Sequence, residues 1–250
     1  MVAVAAVPTE RESYQYEGLY APSEAAGYLL VGIPNELQQR ARPTPRRLQG
    51  WIREGLLAPE ERVLPGRERT LDFDDLISAQ VITLLQQRGE MRLRDIKRAE
   101  NYFAKELGVA KPFARHDFWY SRSDLMREYD ETSLVSGVRA GQLGVKDLLI
   151  PIMGRLSSLL RFESGSGRPL EWEPAEGITL APDIQFGHAC LKDTRIPTSA
   201  IWSYVHGGDR EEFIAESYGI SGDEVSRAVR FEDEVRRALA EVTGVSTVSD

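Results

Sequence analysis

The sequence predicts an α+β fold, mainly α with small β elements, and three observations predict it. Apolar residues recur at three- and four-residue spacing over about 19–30, 44–56, 74–88, 93–107 and 198–242, which is the period of amphipathic helices. Between Lys111 and Pro174 the pattern shortens to brief runs bounded by turn residues, as small strands require. Composition, 42% hydrophobic and 28% charged over 250 residues, is that of a globular chain able to bury one large core or two ordinary ones. A single cysteine, Cys190, excludes an internal disulfide framework and fits a reducing cytoplasm. No apolar run approaches the roughly 20 residues needed to span a bilayer, so no membrane association is expected. The opening MVAVAAVP is too short for a signal peptide, and residues 1–18 read as a flexible tail.

In chain order, the first helix lies within LYAPSEAAGYLL, with Pro22 at its start, Glu24 in the first turn and Ala25, Ala26, Leu29 and Leu30 on one side. The second is the centre of the reading. Thr44 and Pro45 form a helix start, a hydroxyl acceptor followed by a residue with no N–H to lose. At 100° per residue Leu48, Trp51, Ile52 and Leu56 fall on one buried side, and Gly55 ends the helix. The opposite side carries Arg46, Gln49 and Arg53 around Gly50. Arginine and glutamine can bond base edges bidentately, and a glycine between them permits close approach. Residues 31–43 separate the two helices, with Arg40 and Arg42 suited to phosphate contacts. Arg62 to Leu64 and Arg69 to Phe73, around Pro65-Gly66, read as a two-stranded wing carrying Arg67 and Arg69. The expected DNA-binding set is therefore Arg40, Arg42, Thr44, Arg46, Arg47, Gln49, Arg53, Arg67 and Arg69, on an N-terminal winged helix-turn-helix.

Asp74 to Arg88 reads as a buried helix, and Leu93 to Leu107 as one with Ile96, Ala99, Phe103 and Leu107 on a stripe ending at Gly108. Strands are expected around HDFWY, LMREY and SLVS. RFE and PLEWEP form a hairpin across SGSGR. Val145 to Leu160 reads as an amphipathic helix kinked at Pro151, which removes the bond to the Asp147 carbonyl. The cluster Phe118, Trp119 and Tyr120 reads as core before it reads as a stacking platform. At the C-terminus three helices, Thr198 to His206, Asp209 to Ser217 and Ser221 to about Val242, give a helix-turn-helix-like domain. Capping boxes are expected at Asp209/Glu212 and Ser221/Glu224.

Charge divides the chain. Residues 1–39 sum to −4, 40–100 to +3, 101–170 to +2 and 171–250 to −9, for a net charge of −8. The basic segment coincides with the proposed DNA reader, and the acidic one would repel phosphate and suit a basic partner. His188 and Cys190 are the nearest approach to a metal pair, with no second pair at zinc spacing. Asp72, Asp74 and Asp75 cluster at a helix N-terminus, where acids interact favourably with the dipole, and Thr194 and Arg195 read as turn-forming. No nucleophile–base pair, phosphate loop or dinucleotide fingerprint is present, so neither enzyme activity nor a cofactor is expected.

Two stretches carry family resemblances. SEAAGYL, RRLQGWIREGLL, the glycine-tipped wing and LDFDDL, over about Leu19 to Gly108, resemble the winged helix-turn-helix DNA-binding domains of the MerR type. ITLAP, FGH, TRIPTSAI, Gly207-Gly208 and Tyr218-Gly219, over about Ile178 to Leu239, resemble the antitoxin-like domains of the family of unknown function 433. The sequence departs from that family at His188-Ala189-Cys190 and at Asp193. Together the resemblances imply a VapB-class antitoxin, a cytoplasmic repressor of its own operon binding double-stranded operator DNA and a PIN-type ribonuclease toxin. A stand-alone MerR-like regulator with a small-molecule-sensing C-terminal region is the alternative. The implied organisation is a tail (1–18), the winged helix-turn-helix (19–108), a central β/α region (109–175) and the antitoxin-like domain (176–250). A homodimer is expected, because one short helix reads too few base pairs, with the Asp74 to Arg88 helix among the candidate interfaces.

Overall fold

A computed structural model describes residues 18–33, 41–57, 70–87, 91–115, 118–121, 124–128, 133–145, 150–151, 160–164 and 166–244. Proline opens the first two helices, α1 (Pro22–Gly32) and α2 (Pro45–Arg53). They are followed by α3 (Phe73–Gln87) and α4 (Leu93–Leu107), the latter ending at Gly108 as its spacing predicts. A short 3₁₀ turn, Pro112–Ala114, leads into the central strands.

β1 (Phe118–Ser121), β2 (Asp124–Glu128), β3 (Ser133–Ser136), β4 (Leu143–Val145) and β5 (Ile150–Pro151) form one antiparallel sheet in the order β4-β3-β2-β1-β5. β6 (Leu160–Phe162), β7 (Pro169–Ala175), β8 (Ile178–Leu180) and β9 (Cys190–Leu191) form a second, in sequence order. The chain ends in α5 (Thr198–His206), α6 (Glu211–Tyr218) and α7 (Gly222–Thr243). This is the α+β class that the periodicity predicts, including the hairpin β6–β7 and the strands around FWYS, DLMRE and SLVS.

Four expectations need correction. The helix from Val145 to Leu160 is replaced, at its described positions, by strand: Val145 closes β4, Pro151 pairs with Trp119 of β1, and Leu160 opens β6. Pro151 sits on the edge strand, the place in a sheet where proline is tolerated. Of the wing, residues 58–69 lie outside the described residues. Leu71 makes a single bridge to Tyr20, with N–O distances of 2.8 and 2.9 Å, and Phe73 opens α3 instead of ending a strand. The box at Ser221/Glu224 forms, whereas α6 begins at Glu211 behind Arg210 without a side-chain cap, so Asp209 and Glu212 make no box. Finally, the helix expected to supply a dimer interface is covered by its own chain. Leu76, Ile77, Ala79, Val81 and Ile82 of α3 are fully buried, which leaves no apolar face for a second copy.

One hydrophobic cluster runs from Tyr20 to Val235. Its centre is α1, which packs on α2, on β7 and, most extensively, on α7. Tyr28 stacks on Phe231 with centroids 6.1 Å apart, and the Tyr20 hydroxyl donates to the Gly187 carbonyl at 3.0 Å. Two glycines permit this approach. A Cβ on Gly27 would lie 2.8 Å from Val235 Cγ1, and one on Gly32 would overlap the Trp172 ring. The amino-terminal helices and the carboxy-terminal helices therefore share one interior.

Candidate nucleic-acid interface

The α2 helix is held at both ends. Thr44 Oγ1 accepts from the Arg47 backbone N–H at 3.1 Å, satisfying one of the donors a helix leaves free at its start. At the other end the Glu54 and Leu56 N–H groups return to the Gly50 and Trp51 carbonyls, and Gly55 takes the left-handed conformation (φ +67). The Lys97 ammonium donates to the Glu54 carbonyl and so ties the first turns of α4 to the end of α2. Leu48, Trp51 and Ile52 are buried, and this fixes which side faces outward.

That outward side carries Arg46, Gln49 and Arg53, all exposed, whose side chains make no hydrogen bond or ion pair to any described residue. A Cβ at Gly50 would meet nothing nearer than Arg53 Nη2 at 4.0 Å, so the surface between them is open. The other expected DNA residues are placed differently. The Arg47 guanidinium turns back to the Arg42 carbonyl at 3.0 Å, and the Arg42 guanidinium lies 3.4 Å from a Glu241 carboxylate oxygen at the end of α7. Thr44 is occupied as the cap. Arg40, Arg67 and Arg69 lie outside the described residues.

Sequence reasoning missed a second basic group, at the start of α4. Arg92 stands at the N-cap position without a side-chain cap bond and is exposed, and Arg94 and Arg98 flank Asp95 at 3.7 and 3.9 Å while remaining exposed. Lys97 of the same run reaches the end of α2 through the Glu54 carbonyl. The signal was present in the run MRLRDIKR, but only the Lys97–Glu54 contact shows which end of the reader it adjoins.

The remaining candidates have structural explanations. Asp72 and Asp75 exchange bonds at the start of α3, and Lys111 bridges them, 3.0 Å from Asp75, while Arg115 lies 3.5 Å from Asp74. Burial, reinforced by the Asp72 charge, raises the Asp75 carboxyl to about 6 against the pull of Lys111. Glu100, on the buried side of α4, is pushed to about 8 by burial and then by Asp75, with Lys97 opposing. His188 Nδ1 lies 2.8 Å from Glu24, and burial raises the Cys190 thiol to about 11. Among the described residues no three His, Cys, Asp or Glu side chains gather as metal ligands. Thr194 Oγ1 donates to the Leu191 carbonyl at 2.7 Å and accepts from the Ile196 N–H at 3.1 Å, which is a turn-forming role. No described helix is long and apolar enough to cross a membrane.

The model of the MerR helix-turn-helix regulatory protein family matches residues 34–102, and that of the protein family of unknown function DUF433 matches residues 178–231. The first match begins just after α1, the helix that here also serves the C-terminal part. No curated protein matches. The crystal structure of Rv2018 from Mycobacterium tuberculosis is similar in fold, with a TM-score of 0.56 and 15% identity, over 85% of this chain and 97% of that one. The chain thus carries a DNA-binding helix-turn-helix domain of the MerR regulatory family toward its amino terminus and a DUF433 domain toward its carboxy terminus.

Proposed function

We propose that the chain is the antitoxin of a type II toxin–antitoxin system, a cytoplasmic homodimer that represses its own operon and neutralises a PIN-type ribonuclease. DNA reading falls to Arg46, Gln49 and Arg53, with Arg92, Arg94 and Arg98 on phosphates, joined by Arg40, Arg67 and Arg69 where the chain approaches the duplex. The observation that carries this is the exposure of the Arg46, Gln49 and Arg53 side chains, unpaired among the described residues, around an open Gly50 on a capped helix. The antitoxin role is supported by the resemblance over residues 178–239 and by the −9 charge of residues 171–250.

The alternative is a stand-alone MerR-like regulator whose C-terminal region senses a small molecule; the cleft between β7–β8 and α7, lined by Ile178, Arg227 and Phe231 among others, with about 160 Å³, is one place among the described residues where it could be sought.

The test is anisotropy titration of the full chain on labelled DNA from upstream of its own gene. The Arg46→Ala/Arg53→Ala double variant should bind at least tenfold more weakly, since each base contact is worth about 1–3 kcal/mol. Unchanged affinity overturns the assignment of α2 as the reader.

A further inference from the structure

Three of the four large hydrophobic side chains exposed among the described residues lie on one protrusion. They are Tyr204 near the end of α5, Phe213 in α6 and Tyr218 at its end, with exposures of 45%, 58% and 37%. The Tyr204 and Tyr218 rings stand 6.0 Å apart. α6 has a single buried anchor, Ile214, so most of its circumference faces outward. Within the segment 209–218, Asp209, Glu211, Glu212 and Glu216 outnumber its one arginine, Arg210. Glu211 takes a bond from Ser226 of α7 at 3.3 Å, while Glu212 and Glu216 have no partner among the described residues.

We infer that this α5–α6 protrusion is a docking surface for a basic protein, with Phe213 and Tyr218 as apolar anchors and Glu212 and Glu216 meeting its cations. The paired Tyr204 and Tyr218 rings, with Phe213 exposed on the same short helix as Tyr218, supply the aromatic side chains that dominate interface energetics. The charge selects the occupant. A nucleic acid or an anionic membrane is repelled by the carboxylates, and a second copy would set the same carboxylates against each other. A ribonuclease that grips RNA needs a positive groove and meets the requirement, so the inference deepens, and rests on, the partner reading above.

The long last helix, α7, does not offer such a surface. One side of α7 is buried through Val225, Ala228, Phe231 and Val235, and its outer side mixes Glu234 and Glu241 with Arg230, Arg236 and Arg237. An α7 packed in this way offers no uniformly acidic face.

The experiment is biolayer interferometry of the full chain against the purified product of the gene adjoining its own. The variants are Phe213→Ala, Tyr218→Ala, Glu212→Lys/Glu216→Lys and, on α7, Glu234→Lys as a control. All of these positions are solvent-exposed, and thermal melts with DNA titrations confirm that each variant stays folded. Loss of a hot-spot aromatic should weaken binding by about thirtyfold or more. Charge reversal should lower the association rate and its salt dependence, and Glu234→Lys should change little. Wild-type binding with unaltered affinity in all protrusion variants, or loss only in Glu234→Lys, overturns this surface and leaves the partner reading standing. No binding by the wild type overturns the partner reading and this inference with it. A change in the oligomeric state of the free variants shows a second copy as the occupant, which also overturns it.

Discussion

Tyr28 of α1 stacks on Phe231 of α7, 6.1 Å between centroids and 18° between planes, so the helix that supports α2 and the last helix of the chain pack as one body. A chain with two independent cores would melt in two steps, and this one should melt in one. Gly32→Ala drives a methyl group into the Trp172 ring, and Gly27→Ala sets one 2.8 Å from Val235. Each should cost about 1–3 kcal/mol through overpacking. Calorimetry should show a single transition shifted downward, with signals from both ends of the chain lost together. The same packing predicts that residues 1–110 and 176–250, made separately, expose the faces they normally share and aggregate.

Gly50 supplies a sharper probe of the DNA face than removal of arginine. A side chain there meets no described atom nearer than 4.0 Å, so Gly50→Glu should fold while placing a carboxylate between Arg46 and Arg53. Binding to all DNA should fall while the melting temperature holds. Arg94→Ala and Arg98→Ala should instead weaken every sequence alike and lower the slope of log K against log salt by roughly one each, as lost phosphate contacts do. Salt titrations of the single variants separate the two behaviours.

Thr44 is predicted to act through the helix and not through DNA. Its hydroxyl holds the Arg47 N–H, so Thr44→Ala should cost about 1 kcal/mol of stability, and Thr44→Ser should restore it. Denaturant melts of the two variants measure this. A Thr44→Ala protein of full stability with impaired binding would reassign the hydroxyl to a phosphate.

Stability should fall as pH rises from about 5 to 8. Glu100 titrates near 8 in the folded chain, above its ordinary 4.5, so the folded state binds the extra proton between these values. The contribution is complete below the unfolded value and lost as pH climbs through the folded one, on the order of a few kcal/mol. Asp75, raised to about 6, acts in the same direction over its lower window. Glu100→Gln should therefore melt higher than the wild type at pH 8.5, with the difference shrinking toward pH 5. Parallel pH profiles would show that Glu100 escapes burial.

Much of this protein follows from local rules. Thr44-Pro45 and Ser221/Glu224 set helix starts, Gly108 a helix end, and Leu48, Trp51 and Ile52 the side of α2 that must be buried. From that orientation the exposure of Arg46, Gln49 and Arg53 follows, because a helix can hide only one side. Pairing was less legible. The apolar residues from Val145 to Leu160 fit a helix by period, yet Pro151 joins the edge of a sheet, because the strand partner at Trp119 is a distant segment that periodicity does not encode. Nor could the sequence say that Arg42 would be drawn to Glu241, that Lys97 would close the end of α2, or that α3 would be spent in its own core. Those depend on which helices meet. Spacing along the chain determined the elements and their buried sides, whereas the close approach allowed at Gly27 and Gly32 decided that both ends of the chain share α1. That choice rests on shape complementarity between surfaces some 200 residues apart, a property that exists only once the chain has folded.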